Sequence, residues 1–139
     1  MILVIDASVT IAWIAQDEKS EYADHALHAF GSDAAIVPGI WHWEIANVLL
    51  ALERRGRVAD AIATYARVVQ LPIDVELLAY SRDQRSVMEL ELARKHHLSA
   101  YDAAYLALAK ATSHPLATLD GRLERAARAE SLFFDPALS

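Results

Sequence analysis

Four carboxylates stand out in this chain for where they fall: Asp6, Glu44, Asp102 and Asp120. Asp6 closes the run Ile2-Leu3-Val4-Ile5, and Asp120 closes Leu116-Ala117-Thr118-Leu119. Each ends an apolar, strand-like stretch and precedes a helical pattern. Glu44 lies in the first turn of the helix that follows Ala34-Ala35-Ile36-Val37, and Asp102 lies three residues after Ser99 at the head of another helix. In an open parallel sheet, ligands collect outside the carboxyl ends of the strands. Asp6, Glu44 and Asp120 are delivered to that edge. Asp102 follows a loop, and pattern alone does not bring it there. Carboxylates that converge repel one another and hold protons unless a cation joins them. Oxygen-only ligands suit Mg²⁺ or Mn²⁺, and such an ion activates a water and offsets charge on a phosphate, the chemistry of phosphodiester cleavage.

A structural role competes with this reading for each acid taken singly. An Asp at a helix start caps orphan N–H groups, and an acid in the first turn favours the helix dipole. Ser99 with Asp102 resembles a capping box with Asp in place of Glu. What weakens the capping account is the group. Asp6 and Glu44 are also flanked by large apolar residues, where an uncompensated charge is costly. Other tempting residues have plainer uses. His96 and His97 are adjacent and cannot face one ligand together on a helix, so a solvated helix end is expected. His42, between two Trp, reads as a core or interface side chain. Tyr101 and Tyr105 read as packing residues, with base stacking as the alternative. The 4 glycines lie far apart, so no phosphate-cradling loop is present.

The elements that must hold these acids alternate. A buried strand over Ile2–Ile5 leads into a helix over Val9–Ala15, and a second helix runs from Glu18 to Phe30, ending near Gly31. After the strand Ala34–Val37 comes an amphipathic helix with Trp41, Ile45, Val48, Leu49 and Leu52 in register, stopped by Gly56. Arg57–Gln70 forms its partner in an αα-hairpin, and Leu71-Pro72-Ile73 is a brief strand that Pro72 confines to an edge or a strand start. Ser81–His97 is helical, with Val87 and Leu90 in register. Asp102–Ala111 is the clearest helix of all. Leu116–Leu119 is a strand, Arg122–Ala129 a short helix, and Leu132-Phe133-Phe134 a last strand. Alternating strands and helices give βαβ units, a parallel sheet and one compact α/β domain over residues 1–139.

Composition narrows the function. The chain is 55% hydrophobic and has no Cys, which excludes disulfides, thiolate metal sites and Cys nucleophiles. Neither a signal peptide nor a membrane span is expected, and a reducing cytoplasm fits. The net charge of −6 argues against coating nucleic acid by bulk attraction. Ten of the 13 basic residues are nevertheless Arg, nine of them in groups at 54, 55 and 57, at 82 and 85, at 94 beside Lys95, and at 122, 125 and 128. Guanidinium suits phosphate, and solvated helix faces paired to Glu are the competing account.

The segments Val4-Ile5-Asp6-Ala7-Ser8, Trp43-Glu44-Ile45-Ala46-Asn47, Leu98-Ser99-Ala100-Tyr101-Asp102-Ala103-Ala104-Tyr105 and Ala117-Thr118-Leu119-Asp120 resemble, in order and spacing, the motifs of PIN-domain ribonucleases. Within that family the VapC toxins of toxin–antitoxin systems are the nearest in pattern. The resemblance implies a three-layer α/β/α sandwich and Mg²⁺- or Mn²⁺-dependent endonucleolytic cleavage of RNA. It puts Asp6, Glu44, Asp102 and Asp120 at the metal-binding positions, with Ser8 and Thr118 as supporting hydroxyls. Asn47, one helical turn from Glu44, is a further supporting candidate. Gly121 and Arg122 add no acid after Asp120, so one tight metal site is expected. The family also implies a small VapB-type antitoxin that covers the acid edge, and homodimers or larger toxin–antitoxin assemblies. The paired helices from Trp41 to Val69 are a candidate groove for the antitoxin's helix, against burial in the core or a homodimer. The rival functions are a non-catalytic PIN-like module that binds RNA or protein, and a phosphatase using Asp6 as nucleophile. The latter usually needs D-x-D, and here Ser8 stands at the second position.

Overall fold

A computed structural model describes residues 1–15, 17, 19–76 and 82–138. Its elements follow the expected alternation: β1 (Leu3–Ile5), α1 (Ala7–Ile14), α2 (Glu21–Phe30), β2 (Ala35–Val37), α3 (Ile40–Arg54), α4 (Ala61–Val68), β3 (Ile73–Val75), α5 (Arg82–His96), α6 (Ala100–Thr112), β4 (Leu116–Ala117) and α7 (Gly121–Ala129). The strands form one parallel sheet in the order β3-β2-β1-β4. The chain steps outward from β1 to β3 and then crosses back to lay β4 on the other side of β1. The strand order therefore reverses between β1 and β4, the kind of crevice where open α/β sheets bind ligands.

All three residues of β1 are fully buried, as expected for a strand covered on both faces. Helices α1 to α4 pack against one another, as do α5 to α7, while α2 and α6 contact β1 directly. These are the layers of a three-layer α/β/α sandwich. The central helix is α6, in which every residue from Ala103 to Ala109 is buried. A helix apolar on all sides belongs inside. Leu108 is 1% exposed, and Leu108→Ala is expected to cost about 2–5 kcal/mol, read as a lower midpoint in urea with an unchanged slope.

Several boundaries differ from expectation for identifiable reasons. The first strand begins at Leu3, because Ile2 is exposed at the sheet's end. Residues 57–59 are not helical. Gly56, at φ +72°, closes α3 in a Schellman arrangement in which Arg57 N–H donates to the Leu52 carbonyl. Asp60 then caps α4 by accepting from Ile62 N and Ala63 N. Val87 and Leu90 face solvent, at 55% and 60% exposure, and α5 packs through Leu92 with Met88 and Ala93. The segment Leu132–Phe134 makes only a single parallel bridge, Phe133 to Leu116. Glu18 and Ser81, the expected starts of two helices, lie outside the described residues.

The sandwich's α5–α7 layer is tied at one point. Glu130, at the end of α7, accepts from Lys95 and Lys110 and bonds the His96 ring, at 2.7, 2.9 and 2.9 Å. His96 is thus held against Glu130 and is no solvated helix end. These three partners hold the Glu130 carboxyl down at about 2. The sign follows: a depressed carboxyl stabilises the fold above its ordinary 4.5, and that contribution disappears as pH falls towards 2. Glu130→Gln is expected to lower Tm by about 3–6 °C at pH 7, and thermal unfolding repeated at pH 3 should show a smaller difference.

Candidate active site

The crevice between β1 and β4 is built around Asp6. This side chain is 5% exposed and caps α1 by accepting from Val9 N at 3.3 Å. Ser8 Oγ donates to its Oδ1 at 2.5 Å and Thr118 Oγ1 to its Oδ2 at 2.6 Å. Both hydroxyls also accept from the neighbouring turn: Leu119 N donates to Ser8 Oγ at 3.0 Å and Asp120 N to Thr118 Oγ1 at 3.0 Å. Ser8 and Thr118 thus lace the end of β1 to the end of β4. That is why β4 stops at Ala117: Thr118 turns its hydroxyl to Asp6 and leaves the ladder.

Burial pushes the Asp6 carboxyl up from 3.8 to about 6, against the lowering effect of Ser8, Thr118 and Val9, and Asp102 pushes it further. Asp102 heads α6, capped by Ser99 Oγ, which accepts from its N–H at 3.1 Å. The packing of α6 on β1 brings it to the same edge, which sequence pattern could not do. Its own carboxyl is raised by partial burial and then by Asp120, while Ser99 and Arg122 lower it. Glu44, on α3, is raised by partial burial and by Asp102, offset by the bond that Tyr105 Oη donates to its Oε1 at 2.5 Å. Asp120 caps α7 by accepting from Leu123 N at 2.9 Å. The capping role is therefore present at Asp6 and Asp120, and it coexists with convergence. Asp102 is the common member of the set: it acts on Asp6 and on Glu44, and Asp120 acts on it.

The sequence favours packing for Tyr105, and packing is only half its use. It is 1% exposed, and its hydroxyl reaches Glu44. A buried Tyr needs a partner for its O–H, which was the available signal. Asn47 faces the same cleft as Glu44 but, among the described residues, sends no hydrogen bond to the acids. Tyr101 is 62% exposed and does not pack as expected.

No ion pair among the described residues reaches any of the four acids, and Arg122 acts on Asp102 only from beyond ion-pair distance. The donor set is carboxylate and hydroxyl oxygen, which fits a hard divalent ion. Among the described residues no three acidic or His groups are drawn close enough to grip one ion at once. One Arg in each of three groups is paired to acids: Arg57 with Asp17, Arg85 with Glu76 and Glu89, and Arg128 with Glu124 and Asp135. Arg122 and Arg125 line a cleft with His96 and His97.

Comparison with known proteins agrees with this fold. The family described as PIN domain matches residues 3–129. Ribonuclease VapC3 of Pyrobaculum aerophilum is 33% identical over 129 residues, which cover 88% of this chain and 92% of that protein. The crystal structure of PAE2754 from Pyrobaculum aerophilum superposes with a TM-score of 0.69 at 22% identity, over 99% of this chain and 91% of the other. That of Mycobacterium tuberculosis VapC20, a sarcin–ricin loop cleaving toxin, gives 0.59 at 18% identity, over 91% and 95%. With a reversed strand order, acids at the crevice and a match along nearly its whole length, this chain belongs to the PIN-domain family and, within it, to the VapC-type ribonucleases.

Proposed function

We propose that this nuclease is the toxin of a toxin–antitoxin pair and cuts RNA phosphodiesters internally, with Mg²⁺ or Mn²⁺ held by Asp6, Glu44 and Asp102. Asp120 completes the cluster or positions the attacking water. The observation that carries this reading is Asp6, a buried carboxylate at the strand-order reversal with three hydrogen-bond donors, Asp102 in electrostatic reach and no ion pair among the described residues. When bound, the ion supplies an activated water and charge neutralisation at the phosphate. The protein's own part is positional. Ser8 and Thr118 fix Asp6, Tyr105 fixes Glu44, and Ser99 fixes the start of α6. The carboxylates stand apart as they are, so a cation would have to draw them together.

The reading treats residues 1–139 as one PIN domain working in the cytoplasm; no helix among the described residues is long and apolar enough to cross a membrane. The partners that follow are an RNA substrate and a VapB-type antitoxin covering the acid edge, in homodimers or larger assemblies. The α3–α4 hairpin offers the antitoxin's helix an apolar groove of about 220 Å³, walled by Leu49, Leu50, Ile62 and Tyr65.

The deciding experiment is cleavage of total bacterial RNA by the isolated protein with Mg²⁺ or Mn²⁺, against EDTA and against Asp6→Asn. Discrete fragments that need the metal and vanish in the variant are expected. Fragments of equal yield in EDTA would overturn the reading, and metal-independent RNA binding without cleavage would favour the non-catalytic module. The pH dependence is a second check. Asp6 must lose its proton to take a cation, so cleavage at low Mg²⁺ should rise about tenfold between pH 5 and 7, with a midpoint near 6. That midpoint should fall as Mg²⁺ is raised, because cation and proton compete for the same oxygens.

A further inference from the structure

Trp43 precedes Glu44 and Tyr101 precedes Asp102 in the chain, and both aromatic side chains are exposed, at 68% and 62%. They line one cleft of about 570 Å³, with Ile40, Asn47 and Leu50 from α3 and with Glu44 itself in the wall. This volume lies in the range of ligand sites. The register of α3 explains the cleft. Trp41, Ile45, Leu49 and Leu52 point into the core, which leaves positions 40, 43, 47 and 50 along an outer face.

The exposed indole is held in place. The His42 ring meets Trp43 edge-on, with centroids 5.1 Å apart and planes at 77°. His42 is in turn fixed by Tyr65, whose hydroxyl lies 2.6 Å from His42 Nδ1 and whose ring meets it at 83°. A relay from α4 through His42 therefore braces an aromatic face that stays open to solvent. An aromatic side chain braced in this way loses little freedom on binding a flat ring. The acids also have a cationic neighbour: Arg122, which acts on Asp102, lines a separate cleft of about 410 Å³ with Arg125 and His97. An aromatic cleft and a cationic cleft beside the same carboxylates match the two halves of a nucleotide, base and phosphate.

We propose that the cleft of Trp43 and Tyr101 is a subsite that takes an unpaired RNA base next to the phosphodiester being cut. The inference rests on the cleavage reading above and adds to it the residues that receive the base. A base can stack there only when splayed from a helix, so the enzyme selects single-stranded or looped RNA and discriminates against duplex. Asn47, at the same wall, is placed to meet a base edge.

The test uses Asp6→Asn protein in Mg²⁺, so that bound RNA stays intact, and reads Trp fluorescence together with the anisotropy of end-labelled probes, which gives the affinity of variants that lack Trp43. Trp41 is 4% exposed and Trp13 is packed against Phe30, so a stacking ligand reports on Trp43. The probes are an unstructured RNA decamer, a duplex of the same length and an abasic ribose-phosphate decamer. The single strand should quench and bind about tenfold more tightly than the other two. Adding Trp43→Ala should remove the quench and that advantage, Tyr101→Ala should weaken binding several-fold, and Trp43→Phe should restore most of it. Equal affinity for the abasic and base-bearing strands would overturn the subsite. So would a Trp43→Ala protein that binds the single strand undiminished. Dissociation of a dimer on Trp43→Ala, seen by light scattering with RNA affinity unchanged, would instead assign the rings to an interface between copies. Metal-dependent cleavage by the parent protein is scored separately, so loss of the subsite and loss of the cleavage reading are distinguishable.

Discussion

Asp6→Asn is expected to lower cleavage at least about 10³-fold while making the protein more stable. An inactive variant usually invites the objection that it has unfolded, and here the physics points the other way. Burial raises the Asp6 carboxyl from 3.8 to about 6, so ionising it works against the fold. The sign is that of a raised carboxyl. The penalty is absent below 3.8, sets in as pH rises towards 6 and is complete above that, where it amounts to about 3 kcal/mol. Asn has nearly the same shape and no charge. Its oxygen can keep the bonds from Val9 N and Ser8 Oγ, and the Thr118 hydroxyl can rotate to accept from its amide. A gain of about 1–3 kcal/mol, or roughly 4–10 °C in Tm, is expected at pH 7 to 8. It should shrink below pH 4. Mg²⁺ should raise the Tm of the parent and leave that of the variant nearly unchanged. Thermal unfolding at three pH values, with and without Mg²⁺, checks all of this. A variant no more stable than the parent at pH 8 would show that the protein stabilises the Asp6 charge by other means.

Thr118→Val is expected to do the opposite, harming both stability and rate. The substitution preserves shape but deletes a hydroxyl that donates to Asp6 and accepts from Asp120 N–H. At 1% exposure, no bulk water takes its place. One buried N–H and one carboxylate oxygen lose a partner together, which should cost about 1–3 kcal/mol. Residues that orient ligands typically matter about 10- to 100-fold in activity, and a loss of that size is expected here. The more specific readout is the pH–rate midpoint. Thr118 lowers the Asp6 carboxyl, so its removal should move the midpoint upward, which a merely structural role would not do. A slower enzyme with an unchanged midpoint would separate Thr118 from Asp6.

The two strand-end acids were the easiest part of the site to read, because a buried β-branched run that stops at Asp is a local signal. Glu44 needed the further step of following a helix from its strand. Asp102 was unreadable by pattern because its position depends on which helix lies on β1, a tertiary fact. A hint existed in the stretch from Ala103 to Ala109, too apolar on every side to be a surface helix, which places α6 inside and its first turn at the sheet's edge. Trp43 was open to the same arithmetic: with Trp41, Ile45 and Leu49 turned inward, position 43 had to face out. The exposed side of α5 was misjudged because Val87 and Leu90 are apolar, and hydrophobic character does not say which of two available stripes a helix will bury. The final apolar triplet looked like a strand for a related reason. Strand propensity does not reveal that a neighbour two residues long, β4, offers almost no ladder to join.

The lacing of Asp6 to Thr118 joins residues 112 positions apart in the chain. Its consequence concerns the protein's birth on the ribosome. Contacts of such separation form late, after the loop-closure cost has been met by the rest of the fold. Asp6 emerges more than a hundred residues before its second hydroxyl donor, Thr118, and the fourth acid, Asp120. An RNA-cutting protein is necessarily made beside ribosomal and transfer RNA. On the cleavage reading proposed above, the nascent chain has no assembled acid cluster until β4 has been synthesised and has slotted in next to β1.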